Sequence, residues 1–175
     1  MELIERYLRV RARSEALAAP LSAEDQQVQS MPSCSPTKWH RAHTTWFFET
    51  FVLTPFVRGH AAREHSSTLF NSYYEALGER VARAERGLLT RPSLAEVLEY
   101  RAEVDDALLS ALAQGLPAEA LARVELGLHH EQQHQELLLT DVLHLFSRSP
   151  LEPAYQARNA DEPPDPPPAR ASWVA

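Results

Sequence analysis

The stretch Gly127–Asp141 reads GLHHEQQHQELLLTD. It sits inside a run from Ala118 to Ser147 that Gly115 and Pro117 open and Pro150 closes, so it belongs to one long final helix. His130 and His134 are four residues apart, which puts both side chains on one helical face, one turn from each other. Two imidazoles at that spacing reach a single metal ion. His129 is rotated by about 100° and cannot share the face. Glu131, Gln132, Gln133, Gln135 and Glu136 surround the pair. So much polarity in the middle of a helix that must pack requires partners, and a metal or a wet cavity would supply them.

Working outward, the other segments are also helical. Five glycines in 175 residues and long stretches of Ala, Leu, Glu and Arg favour helices, and neither a sustained period-two alternation nor an Asn-Gly or Asp-Gly turn occurs. A first helix is expected over Glu2 to Ala18, with Pro20 ending it and Ser22 opening a short turn of helix with Asp25 as its capping partner. A second is expected from Ser35 as N-cap and Pro36 as first helical position through KWHRAHTTWFFETFVL to Pro55. Val57 to Ser67 reads as a loop and Leu69 to Glu85 as a third helix. Ser93 with Glu96 forms a capping box that starts a helix to Gln114. Long helices joined by modest connections predict an all-α, four-helix bundle over residues 1–149. Seven of the thirteen prolines fall between Pro150 and Pro168, so residues 150–175 read as a proline-rich linker leading towards a further domain.

A second histidine cluster, WHRAHTTWFFE, places His40 and His43 three apart on the second helix. Either completes a three-histidine site with His130 and His134. Three neutral imidazoles leave coordination positions open, the arrangement of a catalytic rather than a closed structural site. A lone histidine is more often a bonded residue at the edge of a core. An i, i+4 pair with a second cluster tips the reading to metal. His130-Glu131-x-x-His134 also matches the zincin motif literally, with Glu131 as base and His144 as a third ligand, but that fold brings a sheet for which no segment is present. The aromatic stripe Trp39, Trp46, Phe47, Phe48, Phe51 reads as core. Asn71, Tyr73 and Tyr74 are ambiguous. Arg83 and Arg86 read equally as solvated charge or as a clamp for a substrate carboxylate. Gln133 is placed to reach a substrate, and Glu136 to support a ligand.

The net charge of −7 and pI near 5.6 argue against nucleic acid as a partner. Cys34 is the only cysteine, which excludes an internal disulfide and fits a reducing compartment. The N-terminal residues contain no signal-peptide core and no apolar run approaches the length of a membrane span, so a cytoplasmic protein is expected.

Four segments, SPTKWHRAHTTWFFETFVL, LFNSYYEALGER, RAERGLLTRPSLAEVLEYR and LGLHHEQQHQELLLTDVLH, resemble the N-terminal DinB-like domain of the ergothioneine-biosynthesis iron(II) sulfoxide synthases (EgtB). The resemblance runs from about Arg11 to Tyr155, and PLEPAY with Trp173 is similar to that family's run into its second domain. It implies a DinB-like bundle followed by a formylglycine-generating-enzyme-like domain that this sequence does not include. It implies Fe(2+) held by His43, His130 and His134, with Arg83 and Arg86 on the carboxylates of γ-glutamylcysteine or cysteine and Gln133 near the imidazole of hercynine. Without the second domain, little activity is expected from this chain alone, unless a separate chain supplies that domain. Two other readings stand beside it: a self-sufficient DinB-like metal-dependent thiol S-transferase, and a non-catalytic helical binding module.

Overall fold

The computed structural model describes residues 2–72 and 80–156. Its elements are α1 (Glu2–Ala18), α2 (Thr37–Phe48), a π-turn (Glu49–Leu53), the short α3 (Thr54–Phe56) and α4 (Ser66–Phe70), a 3-10 turn (Arg83–Leu88), α5 (Leu94–Gln114) and α6 (Ala118–Ser147). No strand occurs among the described residues. The described residues form an all-α helical bundle of four long rods, in which α2, the π-turn and α3 make one continuous rod. No helix among these residues is long and apolar enough to cross a membrane.

The bundle is organised around α2. Every residue from Thr37 to Phe48 is buried, because α2 packs on both α5 and α6, while α1 closes against α6. A helix buried all round that still carries Lys38, His40, Arg41 and His43 must pair each polar group. Lys38 Nζ donates to the carbonyls of Leu89 and Pro92, both at 2.8 Å. Arg41 donates to Gln26 Oε1 at 2.8 Å and pairs with Glu15. The predicted aromatic stripe is core: Trp39, Trp46, Phe47 and Phe48 are all buried. Trp39, Trp46 and Phe48 share the main cluster with Tyr7, Val97, Tyr100, Val104, Leu108, Val124 and Leu128, and the partly buried Phe51 packs against it. Leu17, Leu21, Leu138 and Val142 form a second, smaller cluster.

Several expectations are corrected. Pro36, not Ser35, holds the N-cap position of α2, and no side chain caps it. The Ser35 hydroxyl instead accepts from Arg86 Nη1 at 2.9 Å. The rod ends at Phe56, next to Pro55 as expected, but its last turns are the π-turn and α3 rather than a plain continuation of α2. Proline at the second position of α3 lacks an N–H, and its ring would crowd a carbonyl one α-turn back. The π-turn widens the helix there, and Thr54 Oγ1 donates to the Glu49 carbonyl at 2.9 Å. The predicted third helix over Leu69 to Glu85 is not continuous: α4 ends at Phe70, the backbone at Asn71 is extended, and Arg83–Leu88 is a 3-10 turn. Ser22 and Asp25 do bond reciprocally, but around a turn rather than a helix. The Ser93–Glu96 capping box forms as expected. Tyr73, Tyr74 and most of the proline-rich segment lie outside the described residues. At the segment's start, Tyr155 donates to the Leu17 carbonyl at 2.6 Å.

Gly127 of α6 lies directly against the Phe48 side chain of α2. A Cβ there would stand 2.4 Å from Cε1 of Phe48, a ring that is fully buried and set edge-on to Tyr7. Gly127→Ala is therefore expected to lower stability, although alanine is the better helix former. Overpacking costs about 1–3 kcal/mol, of which helix propensity returns at most about 1 kcal/mol. Urea denaturation checks this, and a variant as stable as the parent would show that Phe48 can yield.

Candidate metal centre

The face of α6 that carries His130 and His134 meets the face of α2 that carries His40 and His43. His43, His130 and His134 each offer one ligand nitrogen, and the three atoms lie within 4.8 Å of one another. These three histidines can hold a metal ion. The Nδ1 of His43 donates to the Phe70 carbonyl at 2.5 Å, so its Nε2 carries the lone pair. That Nε2 faces Nε2 of His130 at 3.1 Å. Two nitrogens bound at about 2.0–2.1 Å to one ion, roughly at right angles, stand about this far apart. The ring of His43 is stacked on Trp39, with centroids 4.5 Å apart and planes 12° apart. His130 packs on Phe47 at 4.6 Å.

His40 is not a member of this triad. Its Nδ1 meets Nδ1 of His134 at 2.8 Å and its Nε2 meets Asp141 Oδ2 at 3.0 Å. Burial pushes all four rings below the ordinary histidine pKa. For His43 and His134 the neighbouring imidazoles add to that effect. His130 falls to about 4, and for His40 the Asp141 carboxylate opposes burial in part. The rings are therefore neutral at pH 7, the form that binds metal.

A pocket of about 430 Å³ opens over the triad. Gln133, Arg83 and Arg86, the three residues expected to contact substrate, all line it together with His43, His130 and His134. Arg86 is buried and not a solvated charge. Its guanidinium lies 3.4 Å over the Trp39 ring, and it donates to the hydroxyls of Ser35 and Ser72 at 2.9 and 3.0 Å. Arg83 is exposed at the rim. Arg86, Trp39 and His43 thus form one stack from the pocket wall to the ion site.

The zincin alternative is overturned. Glu131 turns away from the triad into a buried cluster, where Ser14 donates to it at 2.6 Å, Arg101 at 2.6 Å and Arg11 at 3.0 Å. Burial alone would raise its pKa, but the two guanidinium groups hold the carboxyl at about 2. A carboxylate so committed cannot serve as a base at the ion. His144 bonds to Ser30 at 2.7 Å, and Glu136 and His129 are exposed. Asp141 went unnoticed in the sequence, although it follows His134 by seven residues and so shares its face.

A helical bundle with an open three-histidine centre between two of its rods defines the class: a DinB-like domain with a candidate metal site. The profile of the DinB superfamily matches residues 6–138, and the chain belongs to that superfamily. No curated protein matches the sequence at a significant level.

Proposed function

We propose that this chain is the iron-binding domain of an ergothioneine-type sulfoxide synthase, which joins γ-glutamylcysteine or cysteine to C2 of hercynine. The observation that carries the reading is the single pocket whose floor is His43, His130 and His134 and whose walls present Arg86, Arg83 and Gln133. The sequence motifs around these positions, which resemble that enzyme family, support it. Fe(2+) at the three imidazoles would supply the redox chemistry that couples dioxygen reduction to sulfur transfer.

The chain's own residues bind and orient. Arg86 keeps its charge at any accessible pH, and Trp39, Ser35 and Ser72 hold its fork in place, so a carboxylate entering the pocket meets a preset partner. Arg83 at the rim suits a second carboxylate. The Gln133 amide, one residue from His134, both donates and accepts and so suits an imidazole ring. The balance is thiol plus hercynine plus dioxygen to sulfoxide plus water. One oxygen atom goes to sulfur, and the other leaves with the thiol hydrogen and the hydrogen of C2. On this reading the open side of the pocket is where the second domain implied by the resemblance would dock, and the 175 residues alone turn over slowly.

A stand-alone thiol S-transferase is the second reading. It is favoured by one observation: the pocket already has both its histidine floor and its arginine wall from this chain. The test is thiol binding by the Fe(2+)-loaded protein without oxygen, followed by product analysis in air with hercynine. γ-Glutamylcysteine or cysteine is expected to bind. Arg86→Leu should weaken binding by about 10–100-fold, the size of a lost charged hydrogen-bond pair at about 1.5–3 kcal/mol. Arg83→Ala should weaken it less. Thiol binding unchanged in both variants would remove the carboxylate clamp. Thiol transfer to an electrophile with no oxygen consumed would favour the second reading.

A further inference from the structure

We infer that Asp141 and His40 are positioning residues of the metal centre, a two-step relay that fixes the ring of His134 with Nε2 towards the ion. This rests on the three-histidine centre holding a metal and not on which reaction it serves.

The inference follows from which atoms can donate. Asp141 accepts the Ser35 backbone N–H at 2.8 Å and faces the Cys34 thiol. A carboxylate only accepts, so the 3.0 Å contact with His40 requires the proton on His40 Nε2. The Nδ1 of a neutral His40 is then a lone pair. It faces Nδ1 of His134 at 2.8 Å, so the second ring must donate. A His134 protonated at Nδ1 has its lone pair at Nε2, the nitrogen then left to join those of His43 and His130 at an ion. The same contact fixes the ring's rotation, since a flipped His134 would lose its partner. His43 receives equivalent support from the Phe70 carbonyl. His134 is thus the ligand whose support ends on a carboxylate. That charge, passed through a buried imidazole, makes Nε2 a better electron donor to a cation. His40 sits three residues from His43 on α2 because it holds a ligand and is not one.

The whole protein and Co(2+) alone as probe test this. Asp141→Asn keeps the shape and removes the charge, while His40→Phe removes both bonds. Each is expected to raise the Co(2+) dissociation constant by about 10–100-fold, with binding still at one ion per chain and His129→Ala unchanged. On the parent protein loaded with Zn(2+), proton–nitrogen NMR of the rings should find His134 protonated at Nδ1 and His40 at Nε2. That second measurement stands even if His40→Phe does not fold. Unchanged affinity in Asp141→Asn and His40→Phe, or a proton on Nδ1 of His40, would overturn the relay and leave the centre standing. A parent protein that takes up no Co(2+) would overturn the centre itself.

Discussion

Glu131→Ala is expected to lower the stability of the protein by about 3–5 kcal/mol, the range for breaking a buried ion pair from one side. Total stabilities are on the order of 5–15 kcal/mol, so such a loss is visible as a large fall in the urea midpoint. The cause is what the substitution leaves behind. Glu131 is 1% exposed and binds Arg11, Arg101 and Ser14. Without it, Arg11 keeps Asp105 at 2.6 Å and Arg101 keeps Glu15 at 2.6 Å, both more exposed partners. Two buried guanidinium groups would then lack their shared buried anion. A surface pair sets the contrast. Glu125→Ala breaks only the exposed contact with Arg6 and should cost less than about 1 kcal/mol. The pH dependence has a definite sign. The Glu131 carboxyl is depressed from an ordinary 4.5 to about 2 in the fold, so its contribution is present above the ordinary value and lost as pH falls towards 2. The stability gap between the parent and Glu131→Ala should therefore narrow across that window. A gap independent of pH would mean that the substitution acts through packing and not through charge.

The second large effect concerns the ion itself. One metal ion per chain is expected, and His43→Ala, His130→Ala or His134→Ala should each abolish stoichiometric binding, because each removes one of the three nitrogens that converge within 4.8 Å of one another. His129→Ala should bind as the parent does, since that ring is exposed on another face. Equilibrium dialysis with metal analysis reads this directly. Thermal unfolding gives a second readout: metal at a hundred times its dissociation constant adds about 2.7 kcal/mol to the native state, an increment the three variants should lack. Loss of binding in His129→Ala equal to that in the others would overturn the assignment.

Different parts of the molecule were legible to different depths. The boundaries of α1, α5 and α6 follow from local chemistry: proline and glycine stops, the Ser93–Glu96 box, and helical periodicity over long runs. The α4 region was misread because helix-forming composition in residues 69–85 carries no information about the extended backbone at Asn71. The π-turn was missed for a similar reason. A proline announces a helix end, and the rod does end at Phe56, but the proline says nothing of how the turns before it widen.

By itself, the sequence determined the helical class of this protein and the pairing of His130 with His134, because both depend on spacing along one helix. Only the tertiary structure decided which α2 histidine joins them. His40 and His43 are equally plausible on a helical wheel, and their roles separate only once α6 brings Asp141 against one and Phe70's carbonyl caps the other. It also decided that Glu131 belongs to the arginine cluster and Arg86 to the pocket. Such assignments depend on which charges face each other across helices, and burial makes those contacts strong enough to fix each side chain in place.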